Sequence, residues 1–245
     1  MENTGKLTKK EKKELKKLEW QEKAKQEERK AKIKKYSIWV GAAAVILLII
    51  GGLIAVVSSP SSGTQQITVA PVTSRDITNG DKTAKVTLIE YADFQCPACG
   101  AYHPLIDQLL KDYNGKLFYV YRMFPLTNIH QNAFVSAEAG YAAWKQGKFF
   151  QMDDLLFNNQ NSWADVSDPK NIFVSYAKQL NLNIDQFNKD MNSDAAKTYV
   201  QDSENEALSE GINATPTFIL DGVKIQNPNS YADFQKLINA ELAKK

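Results

Sequence analysis

The chain has 245 residues, 43% hydrophobic, 24% charged and 10% aromatic, with a formal net charge of +2. At about 100–200 residues per domain this is one or two domains of ordinary globular composition. A wholly disordered chain, a collagen-like fibre and a polytopic membrane protein are excluded, as is a nucleic-acid binder working by bulk charge. Two cysteines exclude a scaffold held together by disulfides.

The small net charge conceals a polarised chain. Residues 1–36 carry 14 Lys/Arg against 7 Asp/Glu, a net of +7, and the remainder carries 16 against 21, a net of −5. Between them Ile38–Val57 runs for twenty residues without a charge. As a helix rising ~1.5 Å per residue it spans ~30 Å, the thickness of a bilayer core. Trp39 stands at its basic end, where an indole ring favours the interface. A buried core helix and a cleaved signal peptide are the alternatives. Twenty uncharged residues exceed what a small domain buries on every face. They also exceed the ~7–15 residues of a signal-peptide core, and no small-x-small cleavage site precedes Ser58-Ser59. The segment reads as a single transmembrane signal anchor, 37–57. Lys30, Lys32, Lys34 and Lys35 flank it, so residues 1–36 are expected in the cytoplasm and everything after Ser58 outside.

The tail is rich in Lys, Glu, Ala and Leu. Glu11, Glu14, Glu19 and Glu22 sit where i,i+4 pairing with lysines supports a charged helix. Contact with anionic lipid headgroups and a solvated tail that merely fixes topology are both open. Residues 58–66 (SSPSSGTQQ) are a linker by composition.

Residues 67–245 read as mixed α/β. Ile67–Val72 is a candidate edge strand, and Lys85–Tyr91 an apolar, β-branched run of central-strand length. A helix from Pro97 to Tyr113 and a strand at Leu117–Phe124 complete a strand–helix–strand unit long enough for a parallel crossover. Residues 130–211 read as a helical block. Phe134, Ala137, Tyr141 and Trp144 form one apolar face; Phe149, Met152 and Leu156 form another after Gly147. Asp168-Pro169 reads as an N-cap followed by proline at the first helical position. Asn183 and Ser193 read as further caps and Gly211 as a stop. Strands return at Thr217–Leu220 and Val223–Ile225 around an Asp221-Gly222 hairpin, and Tyr231–Ala243 is a closing helix.

Both cysteines fall in Cys96-Pro97-Ala98-Cys99, after a strand and at the opening of a helix. Residues three apart in the first turn share a face, within reach of a disulfide. The first thiol meets unsatisfied N–H groups and the positive end of the helix dipole, both of which favour the reactive thiolate. The second lies a turn deeper and is expected to be more buried. Three readings compete. A structural disulfide closing so short a loop stabilises little. Zinc finds Cys96, Cys99 and His103 as C-x2-C-x3-H, but structural zinc takes four ligands, no second cysteine pair exists, and His130 is the only other histidine. A redox-active dithiol needs nothing more than is present, so no metal and no cofactor is expected.

Glu90-Tyr91-Ala92-Asp93-Phe94-Gln95-Cys96-Pro97-Ala98-Cys99 resembles the active-site stretch of DsbA-type thiol:disulfide oxidoreductases of the thioredoxin superfamily. Gly211-Ile212-Asn213-Ala214-Thr215-Pro216-Thr217-Phe218 resembles the loop carrying that superfamily's cis-proline. The helical block between the strands matches the insertion of this branch. Gly147-Lys148-Phe149-Phe150 and Leu156-Phe157 resemble its membrane-anchored, BdbD-like bacterial members. The resemblance covers roughly residues 67–245 and implies an α/β, thioredoxin-like fold with an inserted helical domain, here preceded by one transmembrane helix.

It also implies roles. Cys96 is expected as nucleophile and Cys99 as its resolving partner. Pro216 is expected in cis beside them, with the Thr215 backbone pairing an extended substrate; a plain turn before a strand is the alternative. Glu90 is expected as the partly buried acid beneath Cys99, able to relay its proton; a solvent-exposed strand-end carboxylate is the alternative. Pro104 matches a helix-kinking proline. Pro97 lies between the cysteines, and Phe94, Tyr102 and Phe218 are candidate apolar rim residues for substrate. The Pro-Ala dipeptide departs from members with histidine there, which leaves the redox potential open. His130 faces the active site or packs at a helix end. The Asn213-Ala214-Thr215 glycosylation sequon reads as coincidence.

The expected function is oxidation of cysteine pairs in unfolded secreted or surface proteins, with reoxidation by a membrane quinone-linked thiol oxidase. A reductase or isomerase using the same residues, and an anchored non-enzymatic binding module with a structural CxxC, are the alternatives.

Overall fold

The computed structural model describes residues 68–245, together with Trp20, Glu22, Lys23, Lys25, Glu27, Arg29 and Lys30. The chain divides into two units, Met1–Gly63 and Thr64–Lys245. In the first, the described residues are helical and exposed, in keeping with their charged, helix-favouring composition. The expected anchor at 37–57 and the linker at 58–66 lie outside the described residues. Among the described residues no helix is long and apolar enough to cross a membrane.

The second unit is built on one five-stranded sheet. Its strands are β1 (Ile77–Asn79), β2 (Val86–Ala92), β3 (Leu117–Met123), β4 (Thr217–Leu220) and β5 (Val223–Lys224), in the order β1-β3-β2-β4-β5. The two central strands β2 and β3 are parallel, joined by helix α1 (Pro97–Asp112); every other pairing is antiparallel. β3 is buried at all seven positions, as a strand covered on both faces must be. Side-chain alternation sorts the sheet. Leu88, Tyr119, Tyr121 and Phe218 join the larger core with α1 and the helical block. Ile89, Tyr91, Phe118, Val120 and Ile219 join a smaller one with Ala207 and Ile212. By the same alternation Glu90 shares the face of Leu88, beneath α1.

Six helices are inserted between β3 and β4: α2 (Ala133–Lys145), α3 (Phe149–Asn158), α4 (Gln160–Trp163), α5 (Lys170–Gln179), α6 (Ile184–Met191) and α7 (Asp194–Ser209). The last helix, α8 (Tyr231–Leu242), follows the β4–β5 hairpin. Asn183 and Ser193 cap as expected, accepting from the N–H groups of Gln186 and Ala196. Asp221 and Gly222 both take positive φ, 47° and 83°, the geometry of a tight two-residue hairpin.

Three local expectations are corrected. Residues 68–72 form no strand; the edge strand is Ile77–Asn79. The Ala70 N–H bonds Glu210 and its carbonyl accepts from Arg122 at 2.9 Å, so side chains take the groups a ladder needs, and Pro71 has no N–H to give. Helix α5 begins at Lys170 with Pro169 as its N-cap, one residue later than expected, although Asp168 Oδ1 still accepts from the Lys170 N–H at 3.2 Å. Finally, α2 has no single apolar face. Ser136 through Ala143 are all buried, while Phe134 and Trp144 are only partly so. Its small residues admit neighbours on nearly every side: a Cβ on Gly140 would lie 2.9 Å from the Phe94 ring.

Candidate active site

Cys96 is the N-cap of α1, in extended geometry (φ −68°, ψ 120°), and Pro97 occupies the first turn. Both follow from the sequence. A residue before proline is driven out of the helical region, and proline loses nothing where its missing N–H has no intrahelical partner. The Cys96 sulfur thereby takes the place of a capping side chain. The Cys99 thiol, the Thr215 side chain and the N–H groups of Cys99 and Ala98 hold its thiolate at about 5, against an ordinary 9.0 and in spite of burial. Cys99 is pushed the opposite way, well above 9.0, by burial first and then by the neighbouring Cys96 and Glu90. Cys96 is 6% exposed and Cys99 1%. Both thiols are unlinked.

Glu90 lies under this pair. It is 4% exposed and accepts a 2.5 Å hydrogen bond from the Tyr119 hydroxyl. Burial raises its pKa to about 8, the Tyr119 bond offsetting only part of that cost. A water-exposed strand-end carboxylate is thus ruled out. On the other side, the Thr215–Pro216 peptide bond is cis. The Cys96 thiol donates to the Thr215 carbonyl oxygen at 3.4 Å, while the Thr215 hydroxyl is buried and otherwise unpartnered. Asn227 donates to the Pro216 carbonyl at 2.8 Å, and the Thr217 hydroxyl to the Ala214 carbonyl at 2.8 Å, fixing the loop. Cys96, Cys99, Glu90, Thr215 and Pro216 therefore converge. Pro104 lies within α1, on its exposed side.

The expected apolar rim is corrected. Pro97 is exposed beside Cys96, and Tyr102 is half-buried with its hydroxyl tied to the Pro228 carbonyl at 2.7 Å. Phe94, only 1% exposed, stacks on Tyr121 with ring centroids 5.5 Å apart. Phe218 is fully buried, its ring between Tyr102 and Phe234. Neither forms part of a rim. Period-two alternation sends Phe218 inward with Leu220, and the turn made by Asp93 rolls Phe94 under the insertion.

The histidines do not join the cysteines. Among the described residues, the one three-residue group of metal-ligating side chains unites His103 with Asp153 and Asp154. His103 Nδ1 lies 3.3 Å from Asp153. Burial alone would push this ring down, but the Asp153 and Asp154 carboxylates hold it up at about 10. His130 packs in the turn before α2, its Nδ1 2.6 Å from Asp93.

Several residues absent from the sequence reading shape the site. Buried Asp93 accepts from the Gln95 N–H at 2.8 Å and the Leu126 N–H at 2.9 Å. Its place two residues before Gln95 is the one readable signal, an Asx-type turn. Gln160, from the insertion, donates to the Phe94 carbonyl at 2.7 Å and the Cys96 carbonyl at 3.0 Å. Gln95 donates to the Ala164 carbonyl at 2.7 Å and accepts from the Asn132 N–H at 2.6 Å. Nothing in the local sequence marks Gln160 or Asn132, because their partners lie far away in the chain.

A low-pKa thiolate, a buried partner thiol and a proton-holding carboxyl beneath them are what disulfide exchange uses. A model of the family described as thioredoxin matches residues 73–240. The chain belongs to the thioredoxin family. Within it the chain has the DsbA-like form, a thiol:disulfide oxidoreductase fold with a CxxC pair at Cys96 and Cys99. The solved structure of α-DsbA1 from Wolbachia pipientis is 26% identical, with a TM-score of 0.65 over 74% of this chain and 97% of that one. Oxidised BdbD from Bacillus subtilis, 19% identical, shares the fold at a TM-score of 0.65 over 72% of this chain and 98% of that one. Curated relatives include proteins named Na(+)/H(+) antiporter NhaA 1. That of Mycobacterium sp. (strain KMS) is 35% identical over 170 residues, 68% of this chain and 27% of the relative. The chain spans about a quarter of the length of these relatives. Members of the thioredoxin family are recognised here by the same residues that build the site: the strand-to-helix CxxC and the cis-proline loop.

Proposed function

We propose that the protein is a membrane-anchored, extracytoplasmic thiol:disulfide oxidoreductase that oxidises cysteine pairs in unfolded secreted or surface proteins. The opposite displacement of two sulfurs three residues apart carries the reading: Cys96 is held as thiolate at about 5 while Cys99 is pushed well above 9.0. A stabilised Cys96 thiolate favours the reduced protein and so makes its disulfide an oxidant.

In the oxidising direction a substrate thiolate attacks Cys96 Sγ of the Cys96–Cys99 disulfide. A substrate–Cys96 bond forms, the Cys96–Cys99 bond breaks, and Cys99 leaves as a thiolate. Its high pKa demands a proton, and Glu90, protonated up to about 8, stands beneath it to supply one. A second substrate thiolate then attacks the substrate sulfur of the mixed disulfide and expels Cys96, a good leaving group because its pKa is low. Two electrons pass from the substrate cysteines to the protein, which ends as the dithiol. The Thr215 backbone beside Cys96 pairs with an extended substrate segment, and exposed Pro97 borders it. A membrane quinone-linked thiol oxidase takes the two electrons and restores the disulfide.

The anchor and its orientation rest on the charge-free run Ile38–Val57 and the lysines before it. Protease added to intact cells is expected to digest the catalytic unit and spare residues 1–36. The activity is tested by the reduction potential and by Cys96→Ser. The variant should lose thiol oxidation with its fold preserved, and the potential should lie above thioredoxin's, about −270 mV. A potential at or below that value rejects an oxidase in favour of a reductase. Unchanged activity in Cys96→Ser rejects thiol chemistry altogether.

A further inference from the structure

His103 is 5% exposed in its side chain and stands where α1 crosses α3, away from the sulfur chemistry. Its Nδ1 faces the buried Asp153 carboxylate at 3.3 Å. Its Nε2 points the other way, towards Asp154 Oδ1 at 3.1 Å and Asp107 Oδ2 at 3.9 Å. This Nε2 is buried and makes no hydrogen bond; the Asp154 oxygen is near enough but lies at the wrong angle. One oxygen of Asp153 is buried without a partner as well. A nitrogen lone-pair position is therefore surrounded by carboxylates on one side, while the opposite ring nitrogen is held by a carboxylate of its own.

That is the arrangement of a metal-binding histidine. A ligating imidazole commonly presents one nitrogen to the ion and gives the other N–H to a carboxylate, which fixes the ring and strengthens it as a donor. Two oxygens at 3.1 and 3.9 Å from Nε2 are separated as ligands of one ion would be, since bonds of ~2.0–2.2 Å put neighbouring ligands on a tetrahedral centre ~3.3–3.6 Å apart. His103 and Asp107 share one face of α1 at i,i+4. Asp154 comes from α3, partly exposed, and leaves the ion a path to solvent.

We propose that His103 Nε2, Asp154 and Asp107 bind a divalent first-row transition-metal ion, with Asp153 positioning the imidazole. One imidazole among carboxylates suits zinc or manganese rather than calcium, which takes oxygen ligands alone. The ion ties α1, which carries the cysteines, to the first long helix after Gly147. The site uses neither sulfur and is independent of the redox reading.

Zinc and cobalt(II) are titrated at pH 8 into the full-length protein locked in its Cys96–Cys99 disulfide form, so that no thiolate is on offer. The high pH favours the ion over the proton that competes for the same nitrogen. One ion per chain is expected by equilibrium dialysis, with a rise in unfolding temperature and a cobalt spectrum free of sulfur charge-transfer bands. Asp154→Asn and Asp107→Asn remove partly exposed carboxylates and leave the core intact. Each should weaken binding at least tenfold, and the double variant should abolish it. Absence of stoichiometric binding, or wild-type affinity in the double variant, overturns the site and leaves an imidazolium held between carboxylates.

Discussion

The Cys96 sulfur lies 3.4 Å from the carbonyl oxygen of Thr215, across a sequence separation of 119 residues. The reactive residue and the segment that receives substrate are thereby presented as one surface, although they sit at opposite ends of the helical insertion. The same closeness makes the sulfur's ionisation sensitive to its neighbours in a way that can be measured.

Cys99 contributes the largest support to the Cys96 thiolate. In the reduced protein, thiolate absorbance should titrate with a midpoint at about 5. Cys99→Ala removes that S–H donor and should raise the midpoint by about one to two units, the scale of one charge-assisted hydrogen bond. A midpoint near 9 in the wild-type protein contradicts the site.

Thiolate stabilisation is also a stability statement. The folded pKa of Cys96 lies below that of a free thiol, so the reduced protein gains stability above the free value and loses it as pH falls through about 5. At pH 7 the reduced form should exceed the disulfide form by ~2–3 kcal/mol. Denaturant unfolding of both forms between pH 4 and 8 measures the gap, which should close towards pH 5. A disulfide form that is the more stable at pH 7 contradicts an oxidant.

Glu90 carries the opposite sign. Its folded pKa is raised from 4.5 to about 8, so the fold binds a proton that the unfolded chain gives up, and stability falls as pH climbs between those values. Glu90→Gln keeps the shape and removes the titration. It should leave stability at pH 4 nearly unchanged and raise it at pH 9 by on the order of a few kcal/mol. It should also slow exchange at Cys99 while leaving the Cys96 titration largely in place.

Far from the sulfurs, buried Arg122 bonds Asp76 at 2.8 Å, the Tyr91 hydroxyl at 2.8 Å and the Ala70 carbonyl at 2.9 Å. Arg122→Ala strands Asp76 and two further acceptors and should cost ~3–5 kcal/mol. Chemical denaturation checks the cost. The Cys96 titration should not move, which separates a structural arginine from a redox one.

Much of this architecture was legible because it is local. The continuous apolar runs of β2 and β3, the Asp221-Gly222 hairpin and the Asn183 and Ser193 caps each act within a few residues, and so did the N-terminal placement of Cys96. Glu90 was legible through resemblance, and β-alternation explains its burial. The failures share a different cause. Phe94 looked like a rim residue because nothing nearby reveals that Gly140 clears room for its ring. Residues 68–72 looked like a strand because Arg122 and Glu210, which occupy the Ala70 backbone, are remote in sequence. Gln160 and Asn132 gave no signal at all, since an amide is informative only once its partner is known.

Gln160 reaches from the helical insertion to the carbonyls of both Phe94 and Cys96. One flexible amide thus straddles the peptide units leading into the nucleophile. The helical block is therefore wired into the hinge of the catalytic turn, and its grip on the sheet and the chemistry of the sulfur are governed by a shared fastening. Redesigning the block for a new client protein would retune the sulfur at the same stroke.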